Sequence, residues 1–197
     1  MIPSFTIIAG PNGAGKSTTS KHILTNLNII AFDFDKEFYA KWEEYGFDPH
    51  VELGVRKTIA QRFEDHLSDS FQQKSHVSFE TNFSDNVIMN HVEKAKSFGY
   101  ETRLIFIGLK DEAMAIKRVQ IRVDRGGHFV SEATIRERYA KGLELLDKFY
   151  NEFDSVTIHE SLRNFKAVVC MTFHNEGITL FRKPSFIHHI PKTASKL

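Results

Sequence analysis

Eight consecutive residues, Gly10-Pro11-Asn12-Gly13-Ala14-Gly15-Lys16-Ser17, spell G-x-x-x-x-G-K-[ST], and their types suit one task, the holding of phosphates. The glycines let backbone N–H groups turn toward an anion at a distance that a Cβ would forbid. A helix opening at Lys16 aims its unbonded N–H groups and positive dipole end at the same phosphates. Lys16 is expected to reach the β and γ oxygens and Ser17 to ligate Mg²⁺, with Thr18 completing the contact in the first turn. The loop follows the apolar run Phe5–Ala9 and precedes a helical pattern, the context that separates a nucleotide cradle from a glycine-rich turn. The expected ligand is a nucleoside triphosphate, read as ATP.

Other residues could act on that triphosphate. Ligands of open α/β sheets collect at the carboxyl ends of the strands. The run Ile29–Phe32 ends in Asp33-Phe34-Asp35, and strand alternation would place both carboxylates on one side. Either could accept the proton of an acceptor hydroxyl whose oxygen attacks the γ-phosphoryl group. The run His76–Phe79 ends in Glu80-Thr81-Asn82, so Glu80 would face Mg²⁺ or the acceptor; its competing role is to cap a helix starting near Ser84. Arg118, Arg122 and Arg125 stand four and three apart, a spacing that shares one helical face. Gly126-Gly127-His128 follows, and Arg136 and Arg138 lie beyond it. Arginines can neutralise charge on a transferring phosphoryl group, and a Gly-Gly break between two such segments is what a closing lid requires. The bland alternative is a solvated basic face paired with acids such as Asp124. His128 reads as a loop hydrogen-bonder.

The elements that must position these groups alternate short apolar runs with longer amphipathic ones, the pattern of a parallel α/β sheet. Strands are expected at Phe5–Ala9, Ile29–Phe32, His76–Phe79, Thr102–Ile107 and Ser155–His159. Helices are expected from Lys16 to about Leu27, over Lys36–Tyr45 and Val51–Gln73, from Ser84 or Asp85 to before Gly99, over Asp111–Arg125, and from a Ser131 cap to about Tyr150. Phe165–Phe173 and Ile178–Phe181 flank Asn175-Glu176-Gly177 and suggest a terminal hairpin. This amounts to a three-layer α/β P-loop domain over residues 1–182, with a central parallel sheet, a helical lid and a C-terminal hairpin. A basic, Pro-interrupted tail over 183–197 is expected to be poorly ordered.

The 197 residues suit one domain, and 26 Lys+Arg against 25 Asp+Glu give a net charge of +1. That balance disfavours a dedicated duplex-binding protein. The single cysteine, Cys170, excludes an internal disulfide or multi-Cys zinc site and reads as a small buried hydrophobe. No run approaches the ~18 apolar residues of a membrane span, and no signal peptide is evident. A soluble, cytoplasmic protein is expected. The guanine-reading Asn-Lys-x-Asp and the transporter Leu-Ser-Gly-Gly-Gln are both missing from the sequence, and no strand ends in two adjacent acids.

With these residues in hand, the chain resembles the zeta-toxin group of P-loop kinases. The resemblance rests on Gly10–Ser17, Asp33-Phe34-Asp35, Phe79-Glu80-Thr81-Asn82-Phe83-Ser84, and Arg118-Val119-x-x-Arg122-Val123-x-x-Gly126-Gly127-His128-x-Val130, with Arg136-x-Arg138-Tyr139 beyond. It implies ATP- and Mg²⁺-dependent phosphorylation of a hydroxyl on a small acceptor such as UDP-N-acetylglucosamine. It makes Asp35 the base, Lys16 and the lid arginines Arg118 or Arg122 the charge stabilisers, and Ser17 with Glu80 the metal contacts. Asp33, Glu64, Glu80, Asn82 and Arg125 become acceptor contacts, and an antitoxin-like protein inhibitor becomes a conceivable partner. The chain departs from the family where the toxins read Glu-Gly-Thr-x-Arg. Here the residues are Glu80-Thr81-Asn82-Phe83-Ser84, so a positive charge beside the acceptor is lost. Two rival functions remain: an NTP-driven switch with a protein partner, and a nucleic-acid end kinase.

Overall fold

The computed structural model describes residues 2–24, 29–162, 166–174 and 177–187. Seven strands form one sheet: β1 (Ser4–Ala9), β2 (Phe32–Asp33), β3 (Val77–Thr81), β4 (Glu101–Gly108), β5 (Ser155–Ser161), β6 (Ala167–His174) and β7 (Gly177–Leu180). Their order is β2-β3-β1-β4-β5-β6-β7. The first five are parallel, while β6 and β7 join the β5 edge antiparallel. The sheet is therefore mixed, with a parallel core and the expected terminal hairpin; residues 165, 175 and 176 of that expectation lie outside the described residues. β1 is buried at every position, as a central strand with helices on both faces must be.

Six helices cover the sheet: α1 (Lys16–Leu24), α2 (Phe34–Glu43), α3 (Glu52–Gln73), α4 (Ile88–Ser97), α5 (Glu112–Asp124) and α6 (Glu132–Phe149). Residues 25–27, expected to continue α1, lie outside the described residues. The odd positions Phe5, Ile7 and Ala9 of β1 pack with Leu67 and Phe71 of α3 and Val92 of α4. On the other face Ile8 packs with Leu24 of α1 and Ala115 and Val119 of α5. Helix α6 serves both faces, since Ile135 belongs to the second cluster and Leu145 and Leu146 to the first. Its crossing needs Gly142, where a Cβ would stand 3.1 Å from the Asn82 carbonyl oxygen. Caps match their sequence signals at Ser131, which accepts from Thr134 N–H, and at Asp111, which accepts from Met114 N–H.

Three expectations change. The second strand is only Phe32–Asp33, and Ile30, expected inside it, is 91% exposed. Helix α4 opens at Ile88 rather than near Ser84, because Asp85 forms a local turn by accepting from Val87 N–H. Order does not end at residue 182. Phe186 is buried against Phe106, over Gly108, and Arg182 and Ser185 donate to the buried Glu160. Burying one phenylalanine contributes roughly 2 kcal/mol toward docking this short segment, beside the two hydrogen bonds to Glu160. Cys170 is fully buried, in keeping with its apolar surroundings.

Candidate active site

The phosphate loop joins β1 to α1. Gly10 has φ of +143°, and a Cβ there would lie 2.2 Å from the Ile107 carbonyl oxygen, so strand β4 itself demands glycine. Gly13 has φ of +79°, and its Cβ would press on Arg118 and the Ala115 carbonyl of α5. Lys16 opens α1 and curls back, donating to the Gly10 and Pro11 carbonyls at 2.8 and 3.3 Å and to Asn82 Oδ1 at 3.0 Å. Burial pushes its ammonium below the ordinary lysine value, against the pull of Asp35, Glu80 and Asp33. Asn12 is buried, Pro11 and Ala14 close the loop, and Ser17 and Thr18 face outward at the mouth.

Register brings the acids together. Glu80 on β3 stands opposite Ile8 of β1 on one side and Asp33 of β2 on the other. The Ser17 hydroxyl donates to Glu80 Oε2 at 2.7 Å and to Asp33 Oδ2 at 3.2 Å, while Ser20 donates to Glu80 Oε1 at 2.7 Å. Glu80 therefore does not cap a helix. Burial pushes its carboxyl above the ordinary value, opposed by those two hydroxyl donors. Hard oxygens converging on one spot fit Mg²⁺, which is usually held by one or two protein groups together with phosphate oxygens and water. Among the described residues no cluster of three or more His, Cys, Asp or Glu is arranged to hold a metal without such help.

Asp33 and Asp35 reach the site by a different route from the expected alternation. Asp33 is the N-cap of α2, accepting from Lys36 N–H at 3.1 Å, and Asp35 lies in the first helical turn. A capping geometry wins here because a short acidic side chain satisfies an otherwise unbonded N–H. Asn82 Nδ2 stands 3.5 Å from Asp35 Oδ2, so Asn82 bridges Lys16 and Asp35.

The arginines part company. Arg118, only 5% exposed, donates to the Gly13 carbonyl, the Ser161 hydroxyl and the Leu162 carbonyl, tying the phosphate loop to the end of β5. Arg122 donates to the His128 carbonyl at 3.1 Å, and its Nε is buried without a hydrogen-bond partner. Burial lowers its guanidinium from the ordinary value, opposed by Asp35, Tyr39 and Asp33. Arg125 is exposed, because α5 ends at Asp124 and the C-cap turns it off the shared face. The loop after α5 leans on α2: the His128 ring stacks on Tyr39 with centroids 4.0 Å apart, and His128 Nε2 is a second buried atom without a partner. Both orphans line one cavity, so a bound group or water there could pair with them.

That cavity, about 290 Å³, is walled by the phosphate loop, Arg122 and His128. It shares Lys16, Asp33, Asp35 and Glu80 with a smaller one of about 170 Å³ that adds Asn82 and Arg138. A third cavity of about 330 Å³ continues past Phe34, Glu80, Thr81 and Asp85 to Glu64 and His91. Glu64 thus sits in the outer chamber, apart from the phosphate loop. Arg138 is the residue that motif reasoning left outside the site; it stands 3.4 Å from Asn12 Oδ1. Its signal was the inward stripe Ile135, Arg138, Tyr139 and Gly142, spaced as one helix face. Arg136, on the opposite side, pairs with Glu112 and Glu132.

The sequence matches the family model described as zeta toxin over residues 2–176. It is 34% identical over 132 residues to an uncharacterized protein of Haemophilus influenzae, an overlap that covers 66% of this chain and 88% of that one. Among solved structures, a chain of the AvrRxo1-ORF1:-ORF2 complex with ATP superimposes with a TM-score of 0.70 at 12% identity. That match covers 91% of this chain and 61% of the AvrRxo1 chain, so this protein spans about three-fifths of it. The PezAT chromosomal toxin-antitoxin system of Streptococcus pneumoniae gives a TM-score of 0.63 at 16% identity, covering 85% of this chain and 71% of that one. At such identities the structural likeness speaks for the fold, and the sequence matches speak for descent. The chain belongs to the zeta toxin family and is, by fold, a P-loop kinase.

Proposed function

We propose that the protein transfers the γ-phosphoryl group of ATP to a hydroxyl of a small acceptor. One observation carries this reading: the phosphate cavity and the acid-lined chamber beside it share Lys16 and Asp35, so a γ-phosphate and a hydroxyl can meet there. Asp35 takes the hydroxyl proton while the acceptor oxygen attacks phosphorus and the bond to the bridging oxygen breaks. Lys16 and Arg122 hold the equatorial oxygens, and Arg118 keeps the loop in place beneath them. Ser17 and Glu80, with Asp33 beside them, would hold Mg²⁺, which supplies neutralising charge to the β- and γ-oxygens when bound. The loop carrying His128 is the moving part of a lid, hinged at Gly126-Gly127.

The test incubates the protein with γ-labelled ATP, Mg²⁺ and a panel of nucleotide sugars, nucleosides, amino alcohols and oligonucleotides. UDP-N-acetylglucosamine, the acceptor implied by family resemblance, heads the panel. Label in a small acceptor, lost in Asp35→Asn, is the expected result. Label released only as phosphate, at a rate no acceptor changes, would replace this reading with the NTP-driven switch. Label on an oligonucleotide end would make the protein an end kinase. A cytoplasmic setting, where ATP is available, suits the activity, and no helix among the described residues is long and apolar enough to cross a membrane. An antitoxin-like inhibitor is the protein partner we infer from family membership; co-purification of a neighbouring gene product that blocks ATP binding would test it.

A further inference from the structure

The outer chamber has a chemistry of its own. Its core is a set of rings around Phe63, whose centroid lies 5.2 Å from Phe32, 5.0 Å from Phe79 and 5.5 Å from the His91 ring. The charged groups lining it are Glu64, Glu80 and Asp85, with neither lysine nor arginine among the lining residues. The cations of the cleft, Lys16, Arg118, Arg122 and Arg138, line the inner cavities on the phosphate side. Lys94, one turn beyond His91, is engaged over the Phe71 ring. Glu64 has His91 Nε2 as partner at 3.5 Å, and burial pushes that imidazole below its ordinary value, so at neutral pH it leaves the Glu64 charge uncompensated. Aromatic faces beside carboxylates attract organic cations and repel anions. The volume, about 330 Å³, is at the small end for ligand pockets.

We propose that the acceptor is a hydroxylated organic cation, an amino alcohol with an apolar or aromatic body. Its body lies among Phe32, Phe34, Phe63 and Phe79, its ammonium faces Glu64 and Asp85, and its hydroxyl points into the inner chamber at Asp35. This rests on the phosphotransferase reading and narrows it away from nucleotide sugars, whose diphosphate would meet Glu64 and Asp85. The step balances simply. The hydroxyl proton passes to Asp35, the acceptor oxygen bonds to the γ-phosphorus, and the bridging electron pair leaves on ADP. The ammonium is unchanged, and the product is its phosphomonoester.

Three probes on one phenylpropyl body separate the charge classes: phenylalaninol as cation, 3-phenylpropane-1,2-diol as neutral alcohol and phenyllactate as anion. Each is titrated by calorimetry into the full chain holding a non-hydrolysable ATP analogue and Mg²⁺, with UDP-N-acetylglucosamine beside them. Phenylalaninol should bind about tenfold or more tighter than the neutral probe, as a charge-assisted contact implies, and phenyllactate weakest. Glu64→Gln and, separately, Asp85→Asn should shrink that cation-over-neutral ratio; both side chains lie outside the core, so the variants should fold. Equal binding of all three probes, binding of none, or tighter binding of phenyllactate or the nucleotide sugar overturns the proposal. Labelled transfer is measured on the same samples. If phenylalaninol binds as expected but no acceptor of any class receives phosphate, the phosphotransferase reading fails while the ligand class stands.

Discussion

The phosphate half and the acceptor half of the cleft are built by different means. On the phosphate side, side chains grip backbone: Lys16 holds the Gly10 and Pro11 carbonyls, and Arg118 holds those of Gly13 and Leu162. Gly10 too is dictated by neighbouring main chain, the Ile107 carbonyl. On the acceptor side the walls are side chains of β2, β3, α2, α3 and α4, and Glu64 is 45% exposed at its rim. A wall of side chains can be exchanged without moving a strand; a backbone cradle cannot. On the phosphotransferase reading, one half would fix the reaction and the other would choose what is phosphorylated.

The sharpest way to break that division is Asp35, which lines both the phosphate cavity and the inner chamber between it and the acceptor side. Asp35→Asn should lower transfer by about two to four orders of magnitude while ATP affinity changes little. Calorimetry beside labelled transfer checks it; an equal fall in ATP affinity would show the halves to be one site. Asp33→Asn is the comparison and should retain more transfer. Lys16→Ala comes next and should lower both affinity and rate, the rate by about 10²–10³-fold, while the variant still melts cooperatively. A variant that turns over ATP like the wild type would remove the loop from the chemistry.

Arg118 and Arg122 sharpen the comparison within the phosphate half. Arg118→Ala leaves buried carbonyls without a donor and should cost about 1–3 kcal/mol of stability, read by denaturant unfolding. Arg122→Ala should instead slow transfer with little loss of stability, because its Nε is buried without a hydrogen-bond partner to lose. Matching unfolding curves for the two would contradict the separation. The smallest effect concerns Glu80. Its folded-state pKa is raised by burial, so its charge costs stability above that pKa, and the cost vanishes as pH falls toward the ordinary value of 4.5. Glu80→Gln should melt a few degrees higher at pH 7 and lose that gain on acidification, while its Mg²⁺-dependent transfer falls. A gain that grows on acidification would have the wrong sign and would point to a different cause.

How much of this could be read without coordinates varies along the chain. The loop Gly10–Ser17 was fully legible, because its spacing encodes a turn whose chemistry is local. Asp35 reaches the cleft for a reason other than strand alternation: a capping Asp33 starts α2 and carries Asp35 in on its first turn. The arginine face was overread, since a helix that ends at Asp124 cannot keep Arg125 beside Arg122. Arg138 and the ring cage were not assigned, because each needs a neighbour distant in sequence, Asn12 for the one and both Phe32 and Phe79 for the other.

By itself the sequence determined the α/β class, the phosphate cradle and the acids at strand ends, since each follows from period or local backbone sterics. Only the tertiary structure decided the division of labour. Register in the sheet put Glu80 between Ile8 and Asp33, and the packing of α6 against the end of β3 brought Arg138 to the cleft. Sequence patterns report which face of an element is buried, but which groups from different elements meet there is set by how those faces pack.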